Sequence, residues 1–506
     1  MYFLKTVMNK TSEAYQPLLS SKAKIAIIGG GVAGSTIALR FAELGLDTTL
    51  IEKGPSLVNG PPICHLHAGG NLYREICDEQ CLTLLQQSID TVKVYPQSVN
   101  VRPTVIALPK ADNGQPEDLL PRLKKLRAKY SELVIQDSRN KVLGEPENYF
   151  RFYSRAELDA LRELPLPKTA QNDSDWLIAF AQHVDLDSLK FPVLLVQEYG
   201  LSAFRFAAIA SLAIEGLPSC HLQTDSQVVA ITQPENTLGW QVSTQASTQV
   251  SVQHQQSPTI IEQQFDYVIN ACGFKSGEID DMVSAKRKRM VEFKAAYVAH
   301  WPQCQGVWPE IVFYGERGTP QGMAQLTPYP DGYFQLHGMT QDITLFDQGL
   351  VASSLESAQP QLAKRFIEKI DKKWPEQLVH NRTLGSIDHI AQFVPTFNTA
   401  TVAAKPLFGA QQIPGEDADL RAADVSFYGQ HYARTEIVKA SSALAAADAI
   451  LNNLVECGLV DALQLGDYLS EHYFPVSQQC SEIKVTERAM MLARQRDYPM
   501  ALAKNL

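Results

Sequence analysis

Three glycines, Gly29, Gly31 and Gly34, stand in a G-x-G-x-x-G spacing directly after the apolar run KIAII, and an acid, Glu52, follows 18 residues beyond the last of them. The chemistry open to this set is the cradling of a pyrophosphate. The first glycine permits a tight turn, the second lets backbone approach phosphate with no Cβ in the way, and the third lets a helix pack closely on a strand. A helix opening at Val32 and Ala33 aims free N–H groups and the positive end of its dipole at the anion. Glu52, with Lys53 after it, is placed to accept hydrogen bonds from a ribose. A second set lies in GERGTPQGMAQLTPYPDGYFQLHGMT, residues 315–340. There Arg317 can clamp a carboxylate with its planar fork, His337 can take a proton from a hydroxyl or amine, and Tyr333 can orient a substrate. The alternative for this stretch is a strand-turn-strand with Arg317 salt-bridged and His337 satisfied in the core. A third set, His431 and Arg434, offers positive charge to a developing anion, or else caps a helix. No metal site is expected.

The elements that must carry these groups can be read from periodicity. KIAIIG reads as a buried parallel strand, GGVAGSTIALRFAELG as a helix closed by Gly45, and DTTLIE as a second strand. Together they make a βαβ unit of roughly 30 residues, and the agreement of strand, motif, helix, strand and acid points to a bound dinucleotide. SAFRFAAIASLAIEG (202–216) reads as a helix, SQVVAITQ and WQVSTQ as paired strands, and the Gln/Ser/Thr-rich residues 243–259 as a solvated hairpin. Residues 286–345 alternate as an antiparallel sheet does. DVSFYG reads as a strand leading into a small-residue helix, TEIVKASSALAAADAILNNL. The run Lys286-Arg287-Lys288-Arg289 reads as a solvated charged face.

Composition narrows the class. With 45% hydrophobic and 20% charged residues the chain is an ordinary globular sequence, and 506 residues suggest two or three domains. A formal net charge of −10 argues against a general nucleic-acid or anionic-membrane binder. Eight cysteines without a C-x-x-C pair suit reduced thiols in a cytoplasmic protein. The first twenty residues lack the apolar core of a signal peptide, and no uninterrupted apolar run reaches the roughly 18 residues of a membrane-spanning helix. Peripheral attachment to a membrane is left open.

After Glu52 the sequence breaks off from the direct βαβ repetition of a simple NAD dehydrogenase, and from there it resembles the D-amino-acid oxidase superfamily of FAD enzymes. Four segments carry the resemblance. Ile51-Glu52-Lys53 is followed by ICHLHAGGNLY (63–73), similar to the His-Ala-Gly segment that runs past the flavin, here with His67. QEYGLSAFRFAAIASLAIEG (197–216) and then TDSQVVAI (224–231) are similar to the segment whose backbone meets adenine, near Val228. YVINACG (267–273) looks like the Asn-Ala-Ala-Gly strand end, closing on Gly273. FYGQHYARTEIVKAS (427–441) resembles the Gly-His-x-x-x-Gly turn and helix, with Gly429 and His431 matching and with Arg434 and Thr435 where glycine is common. HAGG followed by tyrosine is most similar to the L-2-hydroxyglutarate dehydrogenase type, with the glycerol-3-phosphate dehydrogenase and malate:quinone oxidoreductase types next.

The resemblance implies an α/β fold: a Rossmann-type FAD-binding domain (glutathione-reductase-like) with an inserted α+β substrate domain on a largely antiparallel sheet. The expected pieces are 22–99, 193–275 and 385–455 for the FAD-binding domain and 100–192 and 276–384 for the substrate domain, with 456–506 a C-terminal helical tail. It implies FAD, held without a covalent bond at His67, and hydride transfer from a small carboxylate-bearing substrate, a 2-hydroxy acid or an amino acid. The alternatives are a sarcosine-type amine oxidase or demethylase, and a flavin-bearing assembly factor with little turnover. Oxygen, a quinone or a protein can each take the electrons.

Overall fold

The computed structural model describes residues 23–59, 66–68, 74, 76–247, 259–465 and 474–506. At its centre is a six-stranded sheet in the order Val425–Phe427, Tyr432–Thr435, Tyr267–Asn270, Lys24–Ile28, Asp47–Ile51, Cys220–Gln223. Every neighbouring pair is parallel except the first. The short β-branched runs form this sheet because both of its faces are covered. On one face lies the helix Val32–Leu44, and on the other a three-stranded antiparallel sheet whose Val228, Ile231, Trp240 and Val242 pack on Ala26, Ile28 and Val268.

A second, ten-stranded sheet forms the other half of the molecule. Its hub is the long strand Arg289–His300, which pairs antiparallel with Tyr333–Gly338, Leu350–Ala352, Thr401–Val402 and Leu407–Pro414. Among the described residues, the one parallel pairing in this sheet joins Glu310–Phe313 to Thr104–Pro109. The α/β architecture with a largely antiparallel second sheet is as expected. Among the described residues, no helix is long and apolar enough to cross a membrane.

The details differ from the sequence reading in five places. Residues 385–414 side with the second sheet: Ile387 and Ile390 of the helix Glu376–Ala391 pack with Leu326 and Leu336, and 407–414 pair with the hub strand. The boundary at 192/193 cuts the strand Leu189–Val196, which pairs along its length with Thr104–Pro109. The C-terminal residues are no separate tail. Val485, Ala489, Leu492 and Ala493 of the helix Glu482–Gln495 share a core with Phe206 and Ile209 of the helix Ala203–Glu215, as their helical spacing allows.

The fourth difference is the helix placed near 435, which begins at Ala443, one strand later. Lastly, the basic run divides by side: Lys288 is 74% exposed, whereas Arg289 is 3% exposed and bonded to Asp280. Of the expected hairpin, Trp240–Ala246 and Ile260–Phe265 pair antiparallel, and residues 248–258 lie outside the described residues.

Candidate active site

The glycine turn sits at the C-terminal ends of the parallel strands. Gly29 takes φ +101°, and a Cβ there would lie 2.6 Å from the Ala271 carbonyl oxygen, so the turn passes directly over the next strand end. At Gly34 a Cβ would lie 1.8 Å from the Gly29 carbonyl oxygen, which is what draws the helix onto the strand. At Gly31 a Cβ would meet nothing within 4 Å among the described residues. The space in front of Gly31 is therefore open, and the helix that starts there has no side-chain cap and no acid in its first turn. An open cradle at an uncapped, positive helix end fits the phosphates of a dinucleotide. Glu52 braces the turn, with its Oε2 accepting from the Gly30 N–H and its Oε1 from the Gly54 N–H, each at 2.6 Å.

A cavity of about 560 Å³ runs from this cradle, past Gly273 and Thr435, to the second sheet. Its far end is built on the hub strand and the strands beside it. Lys294 lines it, half of an ion pair with Glu292 at 2.6 Å and a donor to Gln411 Oε1 at 3.1 Å. Arg317 reaches the same Glu292 carboxylate from the loop after Phe313. Burial pushes the Lys294 ammonium below its ordinary range; Glu292 opposes this, and the Arg317 and Arg421 charges add to it. Arg421 donates to the Ala418 and Leu420 carbonyls at 2.8 Å while lining the cavity. His337, buried and in register with Gln325, lines the same wall. Near the rim, Arg74 stacks 4.5 Å from the Tyr314 ring and holds Asp112 with its two terminal guanidinium nitrogens.

The cavity brings together Gly29, Gly31, Val32, Ala33, Glu52, Gly273, Thr435, Arg317 and His337 of the residues singled out in the sequence. Of the others whose side chains are described, it receives none. Gly34 lies beneath the turn, Lys53 is exposed, and Val228 is in the core two residues beyond Ser226, whose N–H donates to the Glu52 carbonyl. Tyr333, expected to orient substrate, lies at the start of its strand against the His300 ring, four residues from His337. The backbone of His67 pairs with Gly200, and its side chain lies outside the described residues.

Gly429 and His431 are a correction with a clear cause. Val268 pairs with Tyr432 and Asn270 with Arg434, so the 428–431 turn caps the N-terminal end of the sheet. His431 Nδ1 is 2.9 Å from the Asp266 carbonyl oxygen, on the order of 13 Å along the strands from the glycine turn. The sequence expectation placed the strand that enters the site at DVSFYG, residues 424–429. The parallel strand is the next one, Tyr432–Thr435, and the segment that reaches the cavity is Ile437–Ala440. Arg434 is occupied beneath the sheet: it and Tyr432 donate to the fully buried Asp280, at 3.0 and 2.8 Å, with Arg289 on the same carboxylate.

Lys294, Glu292 and Arg421 were missed. A signal was present in RMVEFKAAYVAH, where Glu292 and Lys294 are two residues apart in an otherwise apolar strand and so must share one face. Two charges on one face of a buried strand require partners or a ligand.

Residues 24–126 match the family described as FAD dependent oxidoreductase (DAO). No curated protein sequence matches the chain. Among solved structures, glycine oxidase from Geobacillus kaustophilus is 12% identical, with 86% of this chain and 95% of that one covered and a TM-score of 0.52. Glycerol-3-phosphate dehydrogenase from Bacillus halodurans, solved with FAD, is 11% identical, with coverages of 88% and 66% and a TM-score of 0.54. L-amino acid deaminase from Proteus vulgaris is 13% identical, with coverages of 88% and 96% and a TM-score of 0.53. At these identities the likeness is one of fold.

Proposed function

We propose, from the premise that this chain is an FAD-dependent oxidoreductase of the D-amino-acid oxidase superfamily, that it oxidises a small carboxylate-bearing substrate, a 2-hydroxy acid or an amino acid. The observation that carries this reading is the charge balance at the far end of the cavity. Lys294 and Arg317 divide one carboxylate, Glu292, between them. Two cations against one anion, in a place largely removed from water, favour the entry of one further negative charge.

Bound FAD would supply the acceptor for the hydride that leaves the substrate C–H bond. The chain's own residues do the rest. The Arg317 guanidinium has donors beyond the one given to Glu292 and holds the substrate carboxylate. His337 takes the proton from the substrate hydroxyl or amine, while Lys294 remains an ammonium and holds charge beside Arg317. Ile106, Val312, Met323 and Met339 give the cavity apolar walls that keep water from the reacting bond. Gly29, Gly31, Val32, Ala33, Glu52, Gly273 and Thr435 enclose the cofactor end.

The test is a titration of the oxidised holoprotein with unreactive small carboxylates. A saturable perturbation of the flavin absorption band is expected, and a neutral amide of the same shape should produce far less. The carboxylate affinity should fall as pH rises through the titration of Lys294, at a lower pH than an exposed lysine would require. An equal response to acid and amide would count against the reading.

A further inference from the structure

The loop after Glu52 contains a backbone conformation that its sequence disfavours. Val58, a β-branched residue, sits at φ +47°, in the left-handed region where such side chains are strained. Strain of this kind persists only where the surroundings over-determine it. Two contacts do so here. The Val58 N–H donates to the Gly30 carbonyl at 2.8 Å, on the glycine turn itself. On the other side, the Arg496 guanidinium donates to the Val58 carbonyl at 2.7 Å, to the Leu57 carbonyl at 2.8 Å and to Ser56 Oγ at 3.1 Å. Val58 and Asn59 line the cavity beside Gly31 and Glu52.

Arg496 arrives from far away in sequence. The helix Glu482–Gln495 ends at it, and Asp497, at φ +57°, turns the chain so that the Tyr498 N–H donates back to Ala493. The same turn buries Tyr498, whose hydroxyl donates to the Pro406 carbonyl at 2.7 Å. Burial pushes the Arg496 guanidinium down to about 10, opposed by Tyr498 and by the Glu52 charge, so it stays charged at neutral pH within electrostatic reach of Glu52.

We infer that Arg496 is a positioning residue for the cofactor: by clamping the carbonyls of Leu57 and Val58 it holds the 56–59 loop against the glycine turn in the conformation that FAD binding requires. This inference stands on the FAD assignment alone and is independent of the substrate. In Arg496→Met the loop relaxes toward an unstrained conformation, and the binding energy of FAD must restore it.

The experiment is a titration of apoprotein with FAD, followed by flavin fluorescence, with the thermal midpoint of each apoprotein measured alongside by circular dichroism. Arg496→Met should weaken FAD binding on the order of 10- to 100-fold, and Arg496→Lys, which cannot serve three acceptors in one plane, should weaken it less but in the same direction. The reading that separates positioning from general destabilisation is rescue. Glycine adopts positive φ without strain, so Val58→Gly in the Arg496→Met background should recover at least half of the lost affinity on a logarithmic scale. If Arg496→Met does not fold, Arg496→Lys with and without Val58→Gly carries the same test. Unchanged FAD affinity in the Arg496 variants, or a loss that Val58→Gly does not relieve, overturns the inference.

Discussion

Gly31→Val yields a folded protein that no longer retains FAD. The structure separates these two consequences. A Cβ built at Gly31 meets no atom of the described residues within 4 Å, so the apoprotein has room for the isopropyl group. That room is the cradle in front of the uncapped end of the helix Val32–Leu44, and filling it removes the approach of phosphate to the backbone N–H groups. Losing two hydrogen bonds to a charged group, at roughly 1.5–3 kcal/mol each, weakens binding by roughly 10²- to 10⁴-fold. Gly34 provides the contrast: its Cβ would lie 1.8 Å from the Gly29 carbonyl oxygen, so substitution there disturbs the fold itself. Flavin content after gel filtration and the apoprotein melting temperature read the two effects independently. Gly31→Val purified with a full complement of FAD would contradict the assignment of the cradle.

The second large effect is a separation of binding from rate at the far end of the cavity. Arg317→Lys should cost affinity for substrate, about 1.5–3 kcal/mol or roughly 10- to 150-fold, because lysine cannot reach Glu292 and hold a carboxylate in the same plane. His337→Gln should leave affinity nearly unchanged and slow flavin reduction at saturating substrate by roughly 10²- to 10⁴-fold, since glutamine accepts no proton at neutral pH. Stopped-flow reduction across substrate concentrations resolves the two parameters. Both variants should retain FAD, because neither residue lies at the glycine turn. If His337→Gln reduces at the normal rate, the proton does not go to His337.

What the sequence revealed, and what it hid, follows the range of the interactions concerned. The glycine turn and its helix were legible because the constraints at Gly29 and Gly34 lie within a few residues of one another or at an adjacent strand end. Tyr432–Thr435 was not legible as a central parallel strand. It carries Arg434, which is tolerated in the core only because Asp280, more than 150 residues earlier, is folded beneath it. That misplacement moved Gly429 and His431 to the wrong end of the sheet. Arg317 and His337 were singled out from residue type, but the carboxylate that orders Arg317 comes from Glu292 on the hub strand, and only the tertiary fold discloses it. Tyr333 failed for a simpler reason. It shares a strand with His337, yet four residues of strand separate it from the cavity end.

The most direct test of the account is anaerobic reduction of the FAD-loaded protein by a panel of small 2-hydroxy acids, amino acids, and the corresponding alcohols and amines that lack a carboxylate. The account predicts loss of flavin absorbance with at least one carboxylate-bearing compound, no bleaching with its decarboxylated counterpart, and slower or weaker bleaching in Arg317→Lys. Bleaching by the decarboxylated compounds at equal or greater rate, with Arg317→Lys indistinguishable from the parent protein, would contradict it.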